Sequence, residues 1–170
     1  MMAYFWECVK RDYARNDRRR IILLLFLWRI LSLARQNIMA RILFFPLELL
    51  YRFYSEVLLS IELRPGTSVG PGLRIDHGFG IVININSVIG SDCHLRHGVT
   101  IGCKMNSDGS EGPSPVLGDN VEIGCSASII GDIALGNNCC IGVGAVVLMS
   151  VPTGALMGGN LAKIIARSKK

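Results

Sequence analysis

The stretch at residues 117–147 reads LGDNVEIGCSASIIGDIALGNNCCIGVGAVV. An aliphatic residue recurs in it at every sixth position. An α-helix repeats every 3.6 residues and a half-buried strand every two, so neither explains the spacing. A coil of three short strands does, because each strand takes about six residues and points one aliphatic side chain inward. The aliphatic positions are Leu117, Ile123, Ile129, Leu135, Ile141 and Val147.

The same period continues upstream of this stretch. Ile83, Ile89, Leu95 and Ile101 are six residues apart, and so are Leu63, Val69, Ile75 and Ile81, with an offset of two residues between the sets. About fourteen hexads predict between four and five coils of a parallel β-helix with a dry aliphatic core. Residues 103–115 break the period and are rich in Gly and Pro, which predicts a loop that protrudes from one corner.

Three parts are predicted along the chain. Residues 1–60 form a basic, amphipathic helical leader, residues 61–155 form the β-helix, and residues 156–170 form a C-terminal tail. The apolar run from Ile21 to Leu33 has 13 residues, too few to span a bilayer, and fits an interfacial or docked helix. Pro46 predicts a kink or a break in a second helical stretch over 38–60.

The excess positive charge lies in the N-terminal third. Residues 1–64 hold 11 Lys and Arg against six acids, and the remaining seven of each sign cancel, which leaves the net charge of +5. A basic helical segment suits an anionic membrane surface. Nucleic acid is disfavoured because no recognised nucleic-acid motif accompanies the charge. We therefore expect a cytoplasmic protein that is peripheral on the inner face of the cytoplasmic membrane.

The six cysteines indicate neither a disulfide framework nor a metal site. They form no CxxC pair and no His/Cys ligand spacing, so no metal is expected. Cys93 and Cys139 fall where small side chains pack inward, and buried free thiols are typical of the cytosol. No cleavable signal is evident, because no small-residue cleavage site closes the apolar run.

Three histidines are candidates for chemistry. His77 comes two residues after inward Ile75, and His97 two residues after inward Leu95, one coil later. The spacing predicts both imidazoles on one corner of neighbouring coils, next to the start of the protruding loop. His94 directly precedes Leu95 and should point elsewhere. Position alone leaves open a solvated edge or a catalytic pair, and it disfavours a metal site because no acidic cluster joins the histidines.

Several stretches resemble a known enzyme family. They are Gly72-Leu-Arg-Ile-Asp-His-Gly-Phe-Gly-Ile-Val-Ile-Asn84, Leu95-Arg-His-Gly-Val-Thr-Ile-Gly102, Val151-Pro152 and Gly159…Ala162-Lys163. They are similar to serine acetyltransferases, and more similar to the related bacterial exopolysaccharide O-acetyltransferases of the colanic-acid type. The resemblance covers about 60–165 strongly. It implies a left-handed parallel β-helix, a homotrimer with active sites between subunits, and acetyl-CoA as co-substrate.

The resemblance also implies roles for individual residues. His77 matches the catalytic base, and Glu62 takes the place of the carboxylate that orients it. Asp76 matches a substrate contact, and we assign His97 and Asn84 to the acceptor site as well. CoA would lie along a groove between coils of adjacent subunits. The expected CoA contacts are Gly102, Cys103, Gly124, Cys125, Ser126, Gly142, Val143, Gly144 and Lys163.

The protruding loop bears on the acceptor. The serine enzymes carry an Arg-His pair there, and this chain reads Glu111-Gly-Pro-Ser-Pro115, which lacks a cation for a serine carboxylate. The favoured function is acetyl transfer from acetyl-CoA to a sugar hydroxyl of an exopolysaccharide or capsule, or of its lipid-linked precursor. The alternatives are a serine O-acetyltransferase of cysteine biosynthesis, a non-catalytic β-helix that trimerises and docks on membranes or partners, and a metal enzyme of the carbonic-anhydrase type.

Overall fold

A computed structural model describes residues 2–160 and the backbone of residues 163–167. Short strands follow one another from residue 61 onward, separated by tight turns. They are β1 (Ile61–Leu63), β2 (Ser68–Val69), β3 (Arg74–Asp76), β4 (Ile81–Ile83), β5 (Val88–Ile89), β6 (His94–Arg96), β7 (Thr100–Gly102), β8 (Val116–Leu117), β9 (Glu122–Ile123), β10 (Ser128–Ile130), β11 (Ala134–Leu135), β12 (Cys140–Ile141), β13 (Val146–Val147), β14 (Ala155–Gly158) and β15 (Lys163–Arg167).

These strands form three sheets, one on each side of a prism. Their orders are β1-β4-β7-β10-β13, β2-β5-β8-β11 and β3-β6-β9-β12-β14-β15. From β1 to β13, each strand pairs in parallel with the strand three positions along the chain, as in the pairs Ile83–Ile101 and Ile129–Val147. The first sheet has five strands, one for each coil. The predicted parallel β-helix is therefore confirmed.

The predicted core is also confirmed. All fourteen aliphatic residues of the six-residue period are buried. Small and aliphatic side chains fill the space beside them, among them Val121, Ala127 and Ala145. Cys93 and Cys139 are buried free thiols, as the sequence predicted. The column of inward side chains forms one contiguous cluster, so each coil stabilises the next.

Two segments of the β-helix differ from expectation. The loop at 103–115 joins β7 of the first sheet to β8 of the second. It therefore leaves a different corner from the one that follows β3 and β6, and the expectation that it starts beside the histidines is wrong within one chain. The stretch from 156 onward, expected to be a tail, extends the third sheet because β14 pairs with β12 and β15 pairs antiparallel with β14.

The helical leader packs onto the first coils. Its helices are α1 (Met2–Arg15), α2 (Arg19–Ala34), α3 (Ile38–Leu43) and α4 (Phe45–Arg52), and α4 continues as a π-helical segment over Phe53–Leu58. The break predicted from Pro46 lies between α3 and α4. Ile21, Leu24 and Trp28 of α2 are buried in the same cluster as the β-helix core. The apolar run of α2 is thus a docked helix. Within residues 2–160, no helix is both long and apolar enough to cross a bilayer.

Candidate active site

One corner of the prism carries both predicted histidines. His77 follows β3 and His97 follows β6, and the strands pair Ile75 with Leu95. The ring centroids are 5.5 Å apart with an interplanar angle of 81°, an edge-to-face contact. Both side chains are exposed. The register continues to Cys125 and Val143 on the next two coils. We call the column of His77, His97, Cys125 and Val143 the histidine corner.

The backbone at His77 has an unusual conformation. Its φ angle is +68°, and the following Gly78 also has a positive φ, of +55°. A Cβ on Gly78 would lie 2.5 Å from Cδ1 of Ile21, so this glycine lets α2 pack directly behind the corner. Left-handed backbone is uncommon at non-glycine residues, but five others in the described chain also adopt it, among them Ser126, so such turns belong to this fold. The turn presents the imidazole outward while the leader supports its backbone.

Two arginines of the leader contact His77. Arg18 Nη2 lies 3.2 Å from His77 Nδ1, and Arg20 Nη2 donates to the His77 carbonyl over 2.7 Å. The Arg20 guanidinium also lies 4.6 Å from the centroid of the Phe79 ring. Because a guanidinium only donates, His77 Nδ1 must accept here. The basic charge of the leader is evident from the sequence, but no sequence signal places Arg18 and Arg20 against the β-helix.

Asp76 and His94 form a pair on the outer face of the third sheet. Asp76 Oδ2 lies 2.7 Å from His94 Nε2, and Arg74 Nε donates to Asp76 Oδ1 over 3.1 Å. Partial burial raises the pKa of Asp76, but hydrogen bonds from Arg74 and His94 outweigh it and hold the pKa below its usual value. Burial lowers the pKa of His94. Asp76 is thus a carboxylate that already has partners, one residue before His77.

Glu62 does not contact His77 in the described structure. Its Oε1 lies 3.0 Å from Arg64 Nη2, and its strand position is opposite Val82 of β4. The group that meets His77 Nδ1 is Arg18. The orienting role assigned to Glu62 therefore stays a prediction, and it requires Glu62 to exchange its partner.

Asn84 lies at the base of the protruding loop. Its Nδ2 donates to Glu111 Oε2 over 3.3 Å and lies 3.6 Å from Cys103 Sγ, and its Oδ1 accepts from Ser114 Oγ over 3.0 Å. We call the corner that carries Asn84 and Cys103 the loop corner. A strand of the first sheet separates it from the histidine corner, so Asn84 does not line the same edge as His77 within one chain.

The expected CoA contacts divide between the two corners. Gly102 and Cys103 lie at the loop corner. Gly124 has no room for a side chain, because a Cβ atom there would lie 2.6 Å from the Val143 backbone nitrogen. A groove of about 160 Å³ beside the histidine corner is lined in part by Arg96, Gly124 and Val143. Gly124, Cys125, Ser126, Gly142, Val143 and Gly144 all lie on this side, whereas the Lys163 side chain lies outside the described residues.

The described residues contain no group of three or more His, Cys, Asp or Glu side chains placed to hold a metal ion. The arrangement they do contain suits proton transfer. An exposed imidazole at a left-handed turn has a second imidazole against it and two guanidinium groups beside it. Histidine is the side chain whose ordinary pKa best suits a general base near neutral pH.

Known proteins are similar to this chain in fold and in sequence. Residues 114–148 match the family described as "Bacterial transferase hexapeptide (six repeats)". The putative colanic acid biosynthesis acetyltransferase WcaB of Escherichia coli K12 is 38% identical over 130 residues, which are 76% of this chain and 78% of that relative. The chain belongs to the hexapeptide-repeat acetyltransferase family. It is an acyl-CoA-dependent acetyltransferase.

Serine acetyltransferases are similar as well. The Helicobacter pylori (strain 26695) enzyme is 40% identical over 112 residues, 66% of this chain and 64% of that protein. The soybean serine acetyltransferase apoenzyme has a TM-score of 0.78 at 26% identity, covering 96% of this chain and 68% of that one. A serine acetyltransferase complex with CoA has a TM-score of 0.76 at 25% identity, with 96% and 69% covered. The structural match thus includes the helical leader.

Proposed function

We propose that this acetyltransferase transfers acetyl from acetyl-CoA to a sugar hydroxyl of an exopolysaccharide or capsule, or of its lipid-linked precursor, with His77 as general base. The observation that carries the proposal is the exposed His77–His97 pair, in a chain 38% identical to a colanic acid acetyltransferase over most of both lengths. A sugar hydroxyl is a poor nucleophile at neutral pH, so its proton must leave as attack begins.

The reaction would proceed by direct transfer. The hydroxyl oxygen attacks the thioester carbonyl, and its proton passes to His77 as the new C–O bond forms. The C–S bond then breaks, and the proton passes from His77 to the departing CoA sulfur. The carbonyl oxygen carries negative charge in between and needs preorganised N–H donors, for which we assign the backbone near Gly102 and Cys103 of a neighbouring subunit.

A trimer would unite the two corners. Within one prism the histidine corner and the loop corner lie on different edges, so a CoA that touches both needs two chains. Three prisms packed about a common axis place the histidine corner of one subunit against the loop corner of the next. We therefore propose a homotrimer in which His77 and His97 face Asn84 and Cys103 of the adjacent chain.

The charged residues of the protruding loop at 103–115 favour a sugar acceptor over an amino-acid acceptor. The Lys or Arg nearest its tip is Lys104, and the Lys104 side chain lies along Gly131 on the next coil. Glu111 instead brings a carboxylate to Asn84. A serine carboxylate would meet a like charge at this position, which disfavours binding. A neutral hydroxyl-rich acceptor meets no such repulsion.

Acetyl transfer to the two acceptor classes should differ. With acetyl-CoA and full-length protein, we expect CoA release on bacterial exopolysaccharide oligosaccharides to exceed release on L-serine by at least about tenfold at equal concentration. Thiol release measures the rate, and mass spectrometry identifies the O-acetylated product. Faster CoA release with L-serine, accompanied by O-acetylserine, would overturn the sugar assignment.

Serine O-acetylation is the second candidate. It is supported by the 40% identity to the Helicobacter pylori enzyme and by Asp76, a carboxylate one residue before His77 that could bind an ammonium group in exchange for Arg74 or His94. Glu111→Arg provides a sharper comparison than the wild type alone, because it restores a cation in the loop. If the missing cation is what excludes serine, this variant should gain O-acetylserine formation while the wild type forms little.

The leader also supports a membrane location for the reaction. α3, α4 and the π-helical segment leave ten large apolar side chains more than half exposed, among them Met39, Leu43, Leu50 and Leu58. So many exposed apolar side chains in one segment of 21 residues indicate an interaction site. Arg41 is exposed among these side chains and suits anionic headgroups. We propose that this surface, the apolar leader face, holds the enzyme peripherally on the inner face of the cytoplasmic membrane.

Vesicle binding tests the apolar leader face. The double variant Leu43→Glu, Leu50→Glu should bind phosphatidylglycerol vesicles at least about tenfold more weakly than the wild type. The reason is that burying two leucine side chains in the membrane contributes several kcal/mol to binding. Met149→Glu, at an exposed apolar site far along the β-helix, is the matched control and should bind normally. Sedimentation velocity checks assembly: unchanged vesicle binding with a smaller particle would assign this face to another copy of the chain.

A further inference from the structure

We propose that Arg18 and Arg20 form a binding site for an oxyanion of the acceptor, so that the substrate class is an acidic glycan. This inference rests on the proposed function and deepens it. The oxyanion is a carboxylate of a uronic acid or a phosphate of a glycosyl phosphate, which share the same guanidinium chemistry. The bound anion would lie beside His77, where the acceptor hydroxyl must be.

Both arginines are held by anchored backbone. Asn16 is buried, and its side chain donates to the Leu73 carbonyl over 2.8 Å and accepts from the Ile75 nitrogen over 2.9 Å. On the other side of the pair, the Arg20 carbonyl accepts from Tyr54 Oη over 3.1 Å. The segment that carries the arginines is therefore tied to the strand that ends just before His77. Preorganised donors lose little freedom when a ligand binds.

The positive charge of the pair is not neutralised within residues 2–160. No carboxylate in that range forms a salt bridge with Arg18, Arg19 or Arg20. The contacts with His77 use one nitrogen of Arg18 and one of Arg20. A guanidinium carries five N–H donors, so each side chain has donors left for an anion. Arg18 is exposed and Arg20 is half-buried, which leaves an approach from solvent.

The position of the arginines opposes local helix stability. α2 has no acidic residue in its first turn, and Arg18 makes no side-chain cap hydrogen bond. Cations are unfavourable at a helix N-terminus because the backbone dipole is already positive there. Residues that break such a local preference are expected where function requires them. The positive charges at this point are costly for the helix, and the two that lie at His77, on Arg18 and Arg20, would serve an anionic substrate.

An acidic acceptor would also free the base. In the structure Arg18 occupies the lone pair of His77 Nδ1, which is then not available for a proton. A carboxylate or phosphate that takes over the Arg18 guanidinium releases this lone pair. A neutral glycan offers Arg18 no stronger partner than the imidazole. The two arginines would thus favour acidic acceptors in two ways. Both would bind the anion, and Arg18 would release His77 Nδ1 only when the anion is bound.

Histidine NMR measures the anion site without any acetyl transfer. The ring ¹⁵N signals of full-length protein are recorded with glucuronate, inorganic phosphate, or sodium chloride at equal ionic strength. We expect the His77 signal to move with glucuronate or phosphate, and to move about tenfold less in Arg18→Gln and Arg20→Gln. Arg19→Gln is the matched control, because Arg19 lines a separate cavity with Tyr13 and Phe26. A His77 signal that responds equally to chloride would overturn the anion site.

Acetyl transfer then identifies the source of the oxyanion. The acceptors are a uronic-acid oligosaccharide, its carboxyl-reduced form, and glucose 1-phosphate. We expect one acidic acceptor to exceed the neutral form by about 10- to 100-fold in kcat/KM, and Arg18→Gln to remove that preference while Arg19→Gln keeps it. Equal rates on acidic and neutral glycans would refute the inference and leave the sugar function standing. Anion-dependent His77 shifts without transfer to any sugar would refute the sugar function and leave the anion site standing.

Discussion

His77→Asn should lower kcat for acetyl transfer by about 10²- to 10⁴-fold, the usual contribution of a general base. Asparagine is the informative replacement because the φ angle at this position is +68°, and Asn tolerates left-handed backbone better than most residues. A loss of rate then reports the missing base and not a distorted turn. Thiol release at saturating acetyl-CoA and acceptor measures kcat directly.

Substitution of His97 distinguishes the role of His77 as the base from the role of the neighbouring imidazole. His97 touches the His77 ring edge but lies one coil further along, so His97→Asn should raise KM for the acceptor more than it lowers kcat. Circular dichroism and gel filtration establish that both variants keep the fold and assembly. Wild-type turnover in a folded His77→Asn protein would remove this residue from the base role, and a proton acceptor would then have to come from elsewhere on the corner.

The six-residue period predicted the β-helix because each hexad reports locally on its own inward side chain. Leu95, for example, is recognisable from its neighbours in sequence and needs no knowledge of the rest of the chain. The shared corner of His77 and His97 followed from the same count of residues. The six-residue period breaks in one segment, where Ile141 pairs with Met157 at a spacing of 16 residues and not 18. β14 therefore lies outside the period, and the sequence predicts a tail where the structure has a strand.

The leader could not be placed from sequence because its position depends on long-range contacts. Composition shows a basic segment, which favours a membrane surface, and an apolar run that fits either an interfacial or a docked helix. The packing of Ile21 behind Gly78 shows that α2 belongs to the core, and the hydrogen bond between Asn16 and the Ile75 nitrogen ties the residues before α2 to β3. The surface left for a membrane is consequently the face of α3 and α4. The arginines at His77 depend on the same docking.

Asp12→Ala should lower the free energy of unfolding by about 3–5 kcal/mol, the usual cost of removing one partner from a buried ion pair. Asp12 is 4% exposed and Arg29 is 7% exposed. The Asp12 carboxylate accepts from Arg29 Nε over 2.8 Å and from the backbone nitrogens of Gly72 and Leu73 over 2.8 and 3.0 Å. Truncation removes the counter-ion of the buried guanidinium, which keeps only its hydrogen bonds to the carbonyls of Val69 and Gly70, and leaves two backbone N–H groups unpaired. Urea denaturation followed by circular dichroism measures the change.

Glu7→Ala is the matched control on the same helix. Glu7 is an exposed acid paired with Arg11 over 3.6 Å, so its loss should change the free energy of unfolding by less than about 0.5 kcal/mol. The contrast decides whether the leader is part of the folding unit. Asp12 joins α1 to α2 through Arg29 and to the turn before β3, the strand that leads to His77. If Asp12→Ala unfolds as cooperatively and at the same urea concentration as Glu7→Ala, the leader is a separable appendage, and its arginines have no fixed place at the imidazole.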